Sequence, residues 1–240
     1  MTRGVCAVAG GVAAVAAACW AAGGPERVGE RAPLTINPEA GTVTFEARVA
    51  LDAHDPETPL VFLELVACTP DTREHESLVV TGVPPSSIHA GLLAIGAEAG
   101  SPGVVRVTDD GVERVPPTGD EIEVTFEVGG ERWTPADWIG VERPGEIEPD
   151  PLPGELVFRF AGSMFVERGG GRVYAADAAG TLIGLTTFGS ETVAAGRVVS
   201  PRSRVDTPMF VVRRTDFPVF GTPVRVRLSL AEDGGGGDGQ

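Results

Sequence analysis

Three stretches of the chain alternate apolar and polar residues without a break. In residues 42 to 51, Val43, Phe45, Ala47, Val49 and Leu51 alternate with Thr42, Thr44, Glu46, Arg48 and Ala50. In residues 121 to 128, Ile122, Val124, Phe126 and Val128 alternate with acidic and polar positions, and residues 224 to 230 alternate Val or Leu with Arg or Ser. A period of two places one set on each face of a strand, so all three read as half-buried strands. Leu34 to Ile36 and the turn Asn37-Pro38-Glu39-Ala40-Gly41 predict a hairpin into the first, and Gly129-Gly130 predicts one from the second into Arg132-Trp133. Residues 60 to 67, 75 to 81 and 156 to 160 read as further strands. Residues 173 to 176 and 181 to 188 read as a hairpin around Asp177-Ala178-Ala179-Gly180, with Asp opening and Gly closing a type I turn.

The main helical signal runs from Pro85 to Ile95. Proline suits its first turn and Gly96 the position just past its end. At about 100° per residue, Ile88, Leu92 and Ile95 fall on one stripe and His89 falls beside it. The link Gly82-Val83-Pro84 is too short to carry this helix away from the preceding strand. Pro135 to Ile139 reads as one helical turn. The fold class expected is α+β and β-dominated: mostly antiparallel short strands, with one main short helix at about 85–95 packed on the sheet. Residues 34–230 read as a single domain, between a Gly/Pro-rich linker at 23–33 and a glycine-rich tail at 231–240. No repeat of 20 to 50 residues occurs, which argues against a solenoid.

Composition sharpens this picture. The chain has 240 residues, enough for a substantial core, and its 33 glycines and 20 prolines punctuate many short elements. The net charge of −15 excludes nucleic acid as a partner by phosphate neutralisation, and it disfavours docking on anionic lipid. All 19 basic residues are arginine, a pattern that reads as codon bias.

Residues 1–22 resemble a signal: Arg3 provides the positive end, and residues 4 to 18 are small, apolar and uncharged, too few for a comfortable membrane span. Two processing readings stand side by side. Ala16-Ala17-Ala18-Cys19 resembles a lipobox, which would make Cys19 a lipidated N-terminus and the only route to a membrane. Plain cleavage after Ala18 or Ala22 would yield a secreted protein. Cys6 would leave with the signal, and Cys68 would then lack a partner unless Cys19 escaped lipidation.

Candidate chemistry concentrates between residues 60 and 100. Cys68, His75, Glu76, Ser77 and His89 fall within 22 residues, and Asp137 adds a carboxylate farther on. A hairpin loop at 69–74 would set Cys68 opposite His75, and the helix would bring His89 near. A Cys–His or Ser–His pair suits nucleophilic chemistry, and two histidines with Glu76 or Asp137 are zinc-like donors. Against these stand packing of a buried thiol and histidines satisfied by backbone carbonyls. No HExxH, GxSxG, Walker loop, GxGxxG or CxxC occurs, so neither metal nor cofactor is assigned.

The series LELVACTP (63–70), HESL (75–78), PSSIHAGLLAIG (85–96), PPTGDEIEV (116–124), DWI (137–139), FAGSMF (160–165), FG (188–189) and GTPV (221–224) resembles, in order, the YdjY-domain family, frequent among exported planctomycete proteins. Gly91 departs from the alanine expected there and should loosen the helix. The resemblance implies no established activity. The reading is an exported or lipid-anchored envelope protein, a non-enzymatic module for an unknown protein, glycan or small-molecule ligand. The alternative is a hydrolase or metal-dependent enzyme using His75, Ser77 and His89.

Overall fold

The computed structural model describes residues 33–55, 60–142 and 149–231. The export segment with Cys6 and Cys19, all but the last residue of the 23–33 linker, and tail residues 232–240 lie outside the described residues.

Strands β1 (Leu34–Asn37) and β2 (Thr42–Val49) form the expected hairpin, with Ile36 opposite Val43. β3 (Leu65–Cys68) and β4 (Ser77–Val80) follow, separated by a 3-10 turn at Glu74–Glu76, and then α1 (Pro85–Ala94). β5 (Val104–Thr108) and β6 (Gly111–Val115) make an exposed hairpin that the pattern did not announce. β7 (Glu121–Val128), β8 (Glu131–Trp133) and α2 (Pro135–Trp138) lie where the alternation and the Gly-Gly turn placed them. The short strands β9 (Ile139–Val141), β10 (Asp150–Pro151) and β11 (Phe158–Arg159) come next. A second hairpin, β12 (Phe165–Arg168) with β13 (Gly171–Tyr174), leads into α3 (Ala175–Ala179). β14 (Thr181–Gly184), β15 (Val193–Ala195), β16 (Phe210–Val212) and β17 (Pro223–Leu230) complete the described chain.

The structure is β-dominated, and its main sheet closes on itself. The order β2-β17-β7-β11-β15-β14-β3-β4 returns to β2 through Arg48 opposite Val80 and Val49 opposite Val79, making an eight-stranded barrel. β9, β10 and β16 form a separate three-stranded sheet. Closure removes the exposed edges that an open sheet would carry. The pairing is mostly antiparallel, as expected, but the sheet is a closed barrel with further small sheets beside it, and β3 pairs with β4, and β14 with β15, in parallel. Period-two patterning specifies which face of a strand is buried but not which strand lies beside it.

The alternating residues meet in one core. Val43, Phe45 and Val49 of β2, Val124 and Phe126 of β7, and Val224, Val226 and Leu228 of β17 are all buried together. α1 adds Ile88 and Leu92, both fully buried, while Leu93 is 50 % exposed. Gly91 has a physical reason: a β-carbon there would meet Val43 Cγ1 at 3.1 Å, Val43 Cγ2 at 3.2 Å and Ile36 Cγ1 at 3.3 Å. The missing side chain lets α1 approach the first hairpin closely, which offsets the loosened helix that its sequence implied.

Two local expectations are overturned. The 69–76 connection is not a hairpin loop. Cys68 lies beside Val80, and Leu65 beside Ser77, in parallel register. Glu74 folds the connection back on itself by accepting from the amides of Asp71 at 2.5 Å and Thr72 at 3.0 Å, so β4 re-enters in the direction of β3. Residues 173–188 do not form a hairpin either. The alanine-rich run 175–179 is helical, and Gly180 ends it at φ +72°. A β-carbon on Gly180 would overlap the Thr72 side chain at 2.3 Å, so this glycine also permits the connection to pass.

Candidate functional site

A cleft of about 410 Å³ opens where the segment before β3 crosses β16 and the 199–201 loop. Its position follows from one residue. Leu63 donates its amide to Phe210 O at 2.8 Å, and Glu64 donates its own to Glu76 O at 2.9 Å. The carbonyl of Glu64 then accepts from Leu185 N and Thr186 N, each at 3.0 Å. Glu64 is therefore held where three segments meet. Val61, Phe62, Leu63, Val199, Met209 and Phe210 supply apolar walls, while Glu64, His75 and Glu76 form one polar end.

That end contains two carboxylates and one guanidinium. Arg73 Nη1 lies 2.7 Å from Glu64 Oε2 and 3.3 Å from Glu76 Oε2. Its guanidinium stacks over Phe188 at 4.5 Å, and the 188–191 turn carrying Phe188 is closed by the buried Glu191 carboxylate, which accepts from the amides of Phe188 and Gly189. Burial first, and then the neighbouring Glu76, raises the Glu64 carboxyl to about 7 against the opposing pull of Arg73. Near neutral pH Glu64 therefore carries its proton part of the time. His75 Nε2 stands 3.8 Å from Glu76 Oε1, with its side chain 74 % exposed.

His89 belongs to a different assembly. Tyr174 donates its hydroxyl proton to Gly162 O at 3.0 Å, and His89 Nδ1 lies 2.9 Å from the Tyr174 hydroxyl oxygen. With the phenolic proton committed, neutral His89 donates from Nδ1. Phe160 and Tyr174 meet its ring edge-on, with centroids 4.9 and 5.5 Å away. Burial lowers the pKa of His89 and raises that of Tyr174 to about 12. Thr192 Oγ1 completes the node at 3.2 Å, and Ser86 N donates to Asp177 Oδ1 at 2.8 Å. Together these contacts fasten α1 to α3 and β13.

The remaining candidates serve local structure. Cys68 and Ser77 are fully buried; the Ser77 hydroxyl donates to Arg73 O at 2.7 Å, and burial pushes the Cys68 thiol up. Asp137 closes a capping box on α2, accepting from Thr134 N at 2.6 Å and Thr134 Oγ1 at 2.8 Å. Of the six sequence candidates, His75 and Glu76 line the cleft, whereas Cys68, Ser77, His89 and Asp137 do not. Among the described residues no group of three or more His, Cys, Asp or Glu side chains is placed to hold a metal ion. No helix among them is long and apolar enough to cross a membrane.

Sequence reading passed over Glu64, Arg73 and Tyr174. Glu64 had a visible signal, being the lone charge inside the apolar run LVFLELV. A family model described as the YdjY domain matches residues 34–229. No curated protein and no solved structure matches the chain.

Proposed function

The chain belongs to the YdjY-domain family, and from its cleft we propose that it is a non-enzymatic binding module of the cell envelope, taking a small ligand between β16 and the segment entering β3. One observation carries this reading: an apolar-walled cleft of about 410 Å³ with polar groups gathered at one end. Small-molecule sites have this composition, and their few polar groups set orientation. The segment ending at Cys19 supports export, through lipidation or plain cleavage. The −15 charge speaks against nucleic acid.

An enzymatic reading rests on Glu64 alone, whose near-neutral carboxyl suits proton transfer. The Ser77 hydroxyl is committed to Arg73 O, and His89 sits in the Tyr174 node, so the expected His75/Ser77/His89 grouping lacks support. Protein purified from its own host and crystallised tests the binding reading. The expected result is organic density in the cleft that disappears in Met209→Trp. Solvent alone in the host-derived protein, with no small molecule from a fragment soak entering the cleft, would overturn it.

A further inference from the structure

Resting on the cleft as the binding site, we propose that its occupant is an ammonium-bearing small molecule with a short apolar body. The charge count at the polar end carries this inference. Arg73 offers one nitrogen to both carboxylates, at 2.7 and 3.3 Å, so two negative groups face one positive group. One negative charge is left over, and this is what a cationic head group complements. A carboxylate ligand would meet Glu64 and Glu76 with like charge. A neutral alcohol would bury its body equally well but leave the surplus uncompensated.

Among the described residues that line the cleft there is no arginine; Arg73 reaches the two carboxylates from beside it. From the 73–76 turn, Glu64 faces Arg73, Glu76 and His75, and His75 is mostly in solvent. Beside Ser200 on the opposite wall, the Asp206 carboxylate accepts from Ser200 N at 2.6 Å and is held by both Arg114 terminal nitrogens at 2.7 and 2.8 Å. Met209 and Phe210 on β16 and its approach present no charge. The walls of Phe62, Leu63, Met209 and Phe210 suit an apolar body of modest size, since the volume lies near the small end of ligand sites.

Charge balance gives a second readout. Without ligand, Glu64 carries a proton part of the time at pH 7, because it titrates at about 7. An ammonium seated beside Glu64 and Glu76 favours the ionised carboxylate. The ammonium keeps its own protons and donates them as hydrogen bonds, and the fraction of a proton held by Glu64 leaves for solvent.

Calorimetric titration of the full mature protein tests this at pH 7, in two buffers of different ionisation enthalpy. The probes are 2-phenylethylammonium, 2-phenylethanol and phenylacetate. The ammonium is expected to bind at least about tenfold tighter than the alcohol, as a charge-assisted contact would provide, and to release roughly half a proton per site. Phenylacetate is expected to give no binding heat. Glu64→Gln should abolish proton release and the ammonium preference while keeping alcohol binding. Glu76→Gln, which leaves the Glu64 carboxyl in place, should reduce both, and Glu113→Gln, on the exposed β5–β6 hairpin outside the cleft, should change neither. Equal affinity for ammonium and alcohol without proton release would overturn this inference and leave the cleft reading intact. Proton release that survives Glu64→Gln and vanishes in His75→Gln would overturn it as well. Failure of all three probes to bind would sink both.

Discussion

Glu64 donates its backbone amide to the carbonyl of Glu76 at 2.9 Å, so two residues twelve apart in sequence are joined through the main chain while their side chains share Arg73. The backbone bond keeps the two residues adjacent, and Arg73 holds both side chains at one end of the cleft. Burial first, and then the neighbouring Glu76, leaves a Glu64 carboxyl that keeps its proton into the neutral range.

Stability should carry a signature of this pair. The Glu64 carboxyl binds its proton more tightly when folded, at about 7, than when unfolded, near 4.5. Its contribution is therefore fully present below about 4.5 and is lost as pH rises through 7. Glu64→Gln, which cannot ionise, should gain stability relative to the wild type as pH rises from 5 to 8. Urea midpoints of both proteins across that range provide the measurement. A wild-type-minus-variant difference that does not change with pH would contradict the assignment.

Tyr174 should matter more than a typical surface tyrosine. Tyr174→Phe strands Gly162 O and His89 Nδ1 in a part-buried site, so a loss of roughly 1–3 kcal/mol is expected from denaturant titration. The same variant should leave ligand binding in the cleft unchanged, because the Tyr174 node and the cleft have no lining residue in common.

The faces of α1 can be separated by paired variants. Leu92 is fully buried and Leu93 is 50 % exposed. Leu92→Ala should cost roughly 2–5 kcal/mol, and Leu93→Ala should stay within about 0.5 kcal/mol. Gly91→Ala is the sharper test. Helix propensity alone favours alanine by up to about 1 kcal/mol. Crowding against Val43, itself fully buried, opposes that gain, and a net loss of about 1 kcal/mol is expected. A stabilised Gly91→Ala protein would show that the first hairpin yields easily.

The processing proposal is checked by intact mass. A mature chain beginning at Cys19 with acyl mass, recovered in the membrane fraction, is the expected outcome for a lipoprotein. A soluble chain beginning at Cys19 or at Gly23 without added mass would favour plain cleavage.

Local signals in the chain were enough for its local elements. The alternation in residues 42–49, 121–128 and 223–230, the Gly-Gly turn, and the helix from Pro85 were legible because period, proline and glycine act within a few residues. The pairing of those elements was not legible. Whether β3 and β4 run parallel depends on how Glu74 folds the connection between them, and whether β2 meets β4 depends on closure of all eight strands. Residues 175–179 form a helix, and the chain beyond Gly180 runs beside β3 instead of returning along β13. The candidate site divided for the same reason. Proximity in sequence grouped Cys68, His75, Ser77 and His89, but β3 and β4 bury Cys68 and Ser77, while α1 carries His89 to Tyr174, eighty-five residues away. Only the tertiary structure brought Glu64, Arg73 and Glu76 to one end of a cleft walled in part by β16. A charge in an apolar run can be seen in the sequence, but the neighbours that set its proton affinity come from segments that meet only after folding.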